Sequence, residues 1–236
     1  MERVARIVED KERRLAARRC VRCWHPACIC SNLRPLPIAS EVRVFVLCHW
    51  REFGNAGDDA KLLCAADDRS ELFVYGRRGD CERLVEALEP FEHAVLLFPD
   101  AKALSVAEAS GSRKRPLAVV VVDAPWTLAR KMAKRLDALR EIPHVKLDTD
   151  LVSAYARAQS QPGRVCTLEA IGLFLSAVGE TQALDACRHL VHLNNTALKG
   201  VPSSELYDVR GDHKGHPAWY FGETLLISRR RLNSLN

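Results

Sequence analysis

Apolar residues come in blocks along this chain, and the blocks predict its elements. Leu117 to Val122 is an unbroken apolar run. A strand with no polar positions needs cover on both faces, as a central strand of a parallel sheet has. Val42 to Cys48, rich in β-branched residues, predicts a second strand. Ala94 to Phe98 predicts a third, ended by Pro99, and Leu72 to Tyr75 and Pro143 to Leu147 predict shorter ones. Trp126 to Arg140 places Leu128, Met132, Leu136 and Leu139 on one helical face. Helices are also expected over 2–19, 58–66, 80–88, 167–178 and 184–193, with Asp80 as a helix cap. Strands alternating with helices predict an α/β fold with a mostly parallel central sheet and flanking helices.

Composition narrows the class. The 236 residues suit one α/β domain with a small appendage, and 47% are apolar, enough for a core. No run approaches the roughly 18 apolar residues of a membrane span. The charged N-terminus has no secretory h-region, so a cytoplasmic protein without a membrane partner is expected. The net charge of +5 permits a nucleic-acid partner. Basic residues gather at 11–22, 113–115, 130–140 and 229–231. No Gly-x-Gly-x-x-Gly or Walker-type loop occurs.

Nine cysteines, an odd number, argue against a full disulfide framework. Four of them, Cys20, Cys23, Cys28 and Cys30, fall within eleven residues. Thiolates at this spacing can converge on a tetrahedral structural zinc, and His25 stands where it could replace one. The other reading is a loop of reduced thiols.

Ligands of α/β sheets bind beyond the carboxyl ends of strands. Asp123 stands at such an end. Pro125 suits the first turn of the next helix, and Trp126 offers an aromatic face. That helix then presents Arg130, Lys131, Lys134 and Arg135 as one positive face. The plainer alternative is that Asp123 caps the helix and the basic face is only solvated. His49 and Glu52 leave the strand Val42 to Cys48 in the same manner, and Phe98-Pro99 ends a third strand.

Several stretches in order resemble the DTW-domain family of tRNA-uridine aminocarboxypropyltransferases, within the wider SPOUT-like group that includes ribosomal-RNA enzymes. They are Arg19-Cys20-Val21-Arg22-Cys23 with Pro26, Cys28 and Cys30; His49 with Glu52; Leu97-Phe98-Pro99; Asp123-Ala124-Pro125-Trp126 with Ala129-Arg130-Lys131-Met132; Ser153-Ala154-Tyr155; and Cys166-Thr167-Leu168-Glu169-Ala170. The chain departs from the family pattern at three places. Pro125 replaces a threonine, Cys166 replaces a serine, and Asp58-Asp59-Ala60-Lys61-Leu62 stands where the family has Asn-Thr-x-Arg-Leu. The added carboxylates of Asp58 and Asp59 are expected to repel a phosphate or a carboxylate.

The resemblance implies a SPOUT-like fold with a backbone knot and S-adenosylmethionine as donor. It implies transfer of the 3-amino-3-carboxypropyl group to N3 of a tRNA uridine, releasing methylthioadenosine. Asp123 is the expected general base. Leu97, Phe98, Pro99, Asp123, Ala124, Pro125, Trp126, Thr167 and Glu169 are the expected cofactor contacts. Cys20, Cys23, Cys28 and Cys30 would hold zinc. His49, Arg130, Lys131, Lys134 and Arg135 would meet RNA, with Trp219, Tyr220 and Arg229 to Arg231 as further contacts; DNA is not expected. Residues 1–36 would form the helix and cysteine module, 37–200 the catalytic domain, and 201–236 an aromatic, basic tail. The alternatives are a zinc-containing RNA-binding protein without transfer activity and an enzyme acting on ribosomal RNA.

Overall fold

A computed structural model describes residues 2–38, 41–110, 117–149, 152–155, 165–199 and 201. Its centre is a six-stranded parallel sheet in the order β2-β1-β5-β3-β6-β4. The strands are β1 (Val42–His49), β2 (Glu71–Tyr75), β3 (His93–Leu97), β4 (Leu104–Ser105), β5 (Leu117–Asp123) and β6 (His144–Lys146). The helices are α1 (Glu2–Arg18), α2 (Lys61–Ala66), α3 (Asp80–Leu88), α4 (Val106–Ser110), α5 (Trp126–Arg135), α6 (Asp137–Glu141), α7 (Thr167–Ala177) and α8 (Ala183–Leu198).

The unbroken apolar strand is indeed interior, with β1 and β3 as its neighbours. Its alternate residues feed two cores. Leu117, Val119 and Val121 join Val42, Val44 and Val46 of β1 beneath Leu62, Leu168, Ile171, Phe174 and Leu190. Ala118 and Val120 join Phe45 and Leu47 on the opposite face, against Leu84, Ala129, Met132 and Leu139. The strands therefore lie between two helical layers, and burial on both faces is the main stabilising term. Helices α7 and α8 pack closely because Gly172 has no side chain; a Cβ there would lie 2.9 Å from the Leu184 Cα.

A third cluster docks α1. Val8 and Leu15 pack with Trp24, Cys48, Phe53 and Val74 beside the carboxyl ends of β1 and β2. Buried Lys11 donates to the carbonyls of Trp50 (2.9 Å), Arg51 (3.2 Å) and Phe53 (2.9 Å). Those carbonyls belong to the loop after β1, so α1 fixes that loop.

Two expectations need correction, and two short elements were not foreseen. The helix expected over 126–140 breaks at Leu136, whose extended φ/ψ of −86°/110° caps α6. The break lets Leu139 join the core under β3, fully buried. Asp80 begins α3 rather than capping it; the cap is Gly79, at φ 79°. The Asp80 carboxylate instead accepts the Val74 N–H at 2.7 Å and pairs with Arg77 and Arg83. The short β4 and α4 carry no apolar block long enough to predict them.

Candidate active site

Parallel pairing puts the carboxyl ends of β1 and β5 side by side, with Cys48 in register with Asp123. The loop after β1 turns back here and delivers Asp58 and Asp59 just before α2. The start of α7 delivers Thr167. An oxygen of Asp58, an oxygen of Asp123 and the Cys48 sulfur all lie within 4.8 Å of one another. Thr167 Oγ1 donates to Asp123 Oδ1 at 2.8 Å, and the Cys48 thiol donates to Asp58 Oδ2 at 3.6 Å. Asp123 does not cap α5; the N-cap is Pro125, and no side chain caps that helix.

Asp58, Asp59 and Asp123 are 7%, 5% and 8% exposed. All three face inward together, so any repulsion by Asp58 and Asp59 acts on a ligand seated at this strand end rather than on one in solvent. Burial, then the charge of Asp58, pushes the Asp123 carboxyl well above the usual range. Burial also raises Asp58 to about 6, against the pull of Lys61, and raises Asp59 to about 6 with help from Asp123. Lys61 is itself buried, its ammonium donating to the carbonyls of Asn55, Ala56 and Asp58. One Asp59 oxygen, Oδ2, is buried with no hydrogen-bond partner. The centre thus holds more carboxyl than ammonium and fits a cationic ligand.

Aromatic residues follow β3 and β5. Buried Phe98, just after β3, meets Trp126 at a ring separation of 5.9 Å, tilted by 45°. Leu97 is buried in the core on the other face of the sheet, whereas Pro99 and Pro125 are exposed and Ala124 is half-buried. Glu169 is fully buried, and its oxygens accept from Ser153 Oγ, from the Ala154 N–H at 2.7 Å and from the Cys166 N–H at 3.1 Å. It forms a capping box with Cys166, so the thiol in place of serine still caps α7. Tyr155 donates to the Gly57 carbonyl, tying this segment to the acidic loop.

The other expected contacts separate into two groups. Arg130, Lys131, Lys134 and Arg135 are exposed along α5, while Ala129, Met132 and Ala133 face the core. His49 is buried, with its ring stacked on Tyr75 at 5.7 Å and its Nδ1 accepting the Arg51 N–H at 3.2 Å. Burial, then Arg51 and Lys11, lowers its pKa to about 3, so it is neutral at physiological pH. Glu52 accepts from Asn55 at 3.1 Å. Trp219, Tyr220 and Arg229 to Arg231 lie outside the described residues.

Cys20, Cys23, Cys28 and Cys30 bring their sulfurs within 4.8 Å of one another. The Cys20–Cys30 separation is 3.6 Å. Tetrahedral zinc with Zn–S bonds of about 2.3 Å needs sulfurs about 3.8 Å apart, so the four thiols fit a metal. Burial opposes ionisation of Cys20, but hydrogen bonds from Cys23, Arg22, Cys28 and Cys30 bring it down to about 6. Trp24, at φ 58°, turns the loop tightly between its first two cysteines and the rest. His25 is not the substitute ligand it could have been. It is buried and bonds through Nε2 to Asn194 Oδ1 of α8 at 2.9 Å.

Sequence reasoning missed the partnership of Asp58 with Asp123. Its one signal was a carboxylate at a position where the resemblance implies an amide.

A profile of the DTW domain matches residues 17–198, from the cysteine cluster to the end of α8. The chain is 27% identical over 186 residues to tRNA-uridine aminocarboxypropyltransferase 2 of Mus musculus, covering 75% of this chain and 61% of that protein. It is 27% identical over 166 residues to tRNA-uridine aminocarboxypropyltransferase 2 of Macaca fascicularis, covering 66% and 55%. The chain therefore matches little more than half the length of these relatives. No solved structure matches it.

Proposed function

The chain belongs to the DTW-domain family, and we propose that it transfers the 3-amino-3-carboxypropyl group of S-adenosylmethionine to N3 of a uridine in tRNA. The buried Asp123 carboxyl at the end of β5, three residues before Trp126, carries this reading. The names of the relatives support the reaction class.

Asp123 is the general base. It takes the N3 proton of uridine as N3 bonds to the γ-carbon of the donor's methionine part. The bond from that carbon to sulfur breaks, sulfur keeps the electron pair, and methylthioadenosine leaves. The methyl carbon flanks the same sulfonium, so orientation alone selects the transferred group. Leu97, Phe98, Pro99, Ala124, Pro125 and Trp126 form the donor's seat, and the excess of carboxyl at Asp58, Asp59 and Asp123 suits its positive charge. Thr167 orients Asp123, and Glu169 shapes the seat by holding Ser153 to Tyr155. A uridine in a loop can be splayed out and stacked on an aromatic ring. Arg130, Lys131, Lys134 and Arg135 meet tRNA phosphates. His49, buried and neutral, backs the loop between the base and the RNA.

Structural zinc at Cys20, Cys23, Cys28 and Cys30 staples the N-terminal module and, with four protein ligands, does no catalysis. Residues 1–36 form that module and 37–200 the SPOUT-like, knotted catalytic domain, while the tail beyond residue 201 lies outside the described residues. The parallel sheet with its flanking helices supports the α/β part of this assignment. All nine cysteines are free thiols, which supports a cytoplasmic setting.

The test is incubation of the full chain with tRNA and S-adenosylmethionine, followed by nucleoside mass spectrometry. The expected product is 3-(3-amino-3-carboxypropyl)uridine. No product, with no calorimetric binding of donor at millimolar concentration, would leave an RNA-binding protein. Product in ribosomal RNA but not in tRNA would change the substrate.

A further inference from the structure

We propose that Asp58 is a positioning residue for Asp123: the two carboxyls hold one proton in common and work as a single carboxylic acid–carboxylate pair. The proposal rests on the reading of Asp123 as the base. Its ground is the geometry. An oxygen of each side chain lies within 4.8 Å of the other and of the Cys48 sulfur. Ionised carboxylates offer acceptors only, so a hydrogen bond between them requires a proton on one. Both are more than nine-tenths buried, which makes two adjacent negative charges costly.

The surroundings do not relieve that cost. Glu52 and Cys48 face the pair from β1 and its loop, and Asp59 faces it from the turn before α2. Lys61 of α2 is the ammonium close by, and it is engaged with three carbonyls. Lys11 of α1 acts on Cys48 from farther out. Thr167 donates to Asp123 Oδ1, Cys48 to Asp58 Oδ2, and the Lys61 N–H to Asp58 Oδ1 at 3.5 Å. These donors and the shared proton account for the oxygens without a metal ion.

The pair explains how a base can work in so buried a place. Singly protonated, it carries one negative charge; as Asp123 takes the N3 proton of uridine, the shared proton passes to Asp58. The doubly protonated pair then returns one proton to solvent, and the starting state is restored. Such a pair titrates as a unit, in two macroscopic steps.

The experiment is a pH titration of the full chain labelled with carboxyl-13C aspartate, followed by NMR. Wild type is compared with Asp58→Asn and Asp123→Asn, which keep side-chain size; zinc content and amide spectra verify folding. In wild type both carboxyl carbons should move in the same two steps, the lower at about pH 6. Each variant should leave one carboxyl titrating in a single step, below the upper step of wild type. A single step for Asp123 in wild type, or an Asp123 curve unaltered by Asp58→Asn, overturns the pair. This readout needs neither donor nor RNA. Two steps in a protein that modifies no uridine would keep the pair and sink the transfer reaction. Where transfer occurs, the acid limb of kcat/KM should follow the lower step and move in Asp58→Asn. A limb that stays put overturns the role given to Asp58.

Discussion

Asp123 accepts a hydrogen bond from Thr167 and lies beside Asp58. Asp123→Ala should lower transfer by about 10²–10⁴-fold, the usual worth of a general base, while the fold persists. Near-normal turnover by nucleoside mass spectrometry would remove Asp123 from that role. His49 acts on stability instead. Folded, it stays neutral down to about pH 3 because burial, then Arg51 and Lys11, oppose its charge. Unfolded, it gains its proton near pH 6.5. Between those values the unfolded chain binds more protons, so this contribution is whole above about pH 6.5 and is lost as pH falls toward 3. The stability difference between wild type and His49→Gln, from guanidinium melts, should therefore be larger at about pH 7 than at about pH 4.5. Equal differences would mean that His49 titrates normally. Asp123 was legible in the sequence because an apolar strand ends on it. Asp58 was not, because its burial depends on β5, whose first residue lies far along the chain.

Elements were legible where one periodicity held throughout. Strands β1, β3 and β5 and helices α3, α7 and α8 show their apolar blocks plainly. The break at Leu136 was hidden, since Leu128 to Leu139 keeps helical spacing across it. Tertiary packing of Leu139 overrides the local pattern there. The cysteine cluster was legible from spacing alone, but the role of His25 needed Asn194 of α8. Purified protein should carry one zinc per chain by atomic absorption. Cys23→Ser should lose it and Cys81→Ser should not; zinc retained by Cys23→Ser would break the four-thiol assignment. The docking of α1 can be tested at Gly76, which sits at φ 107° with Val4 Cγ1 only 2.6 Å from where a Cβ would be. Gly76→Ala should cost about 1–3 kcal/mol in denaturant melts through backbone strain, and the clash with α1 adds to it. An unchanged midpoint would mean that α1 is not seated against the turn after β2.

For the whole molecule the basic face of α5 and the acidic centre are complementary in charge. Lys131→Ala and Lys134→Ala should each weaken tRNA binding and lower the slope of log affinity against log salt by about 1. Fluorescence anisotropy over a salt series measures this, and an unaltered slope would remove α5 from the interface. The sheet also has a consequence for how the chain folds. Strand β5 pairs with β1 across 75 positions of sequence (Val42 with Leu117), and Thr167 reaches Asp123 only after α7 joins them. Contacts of such long range form slowly, because closure of the intervening loop precedes their reward. During synthesis the acid pair can meet once β5 has left the ribosome, yet the Thr167 hydrogen bond and the seat shaped by Glu169 must await α7. A nascent chain stopped after residue 149 should thus show no donor binding, however much of its sheet has formed, and the proposed transfer is expected only once almost all of the described length has been made.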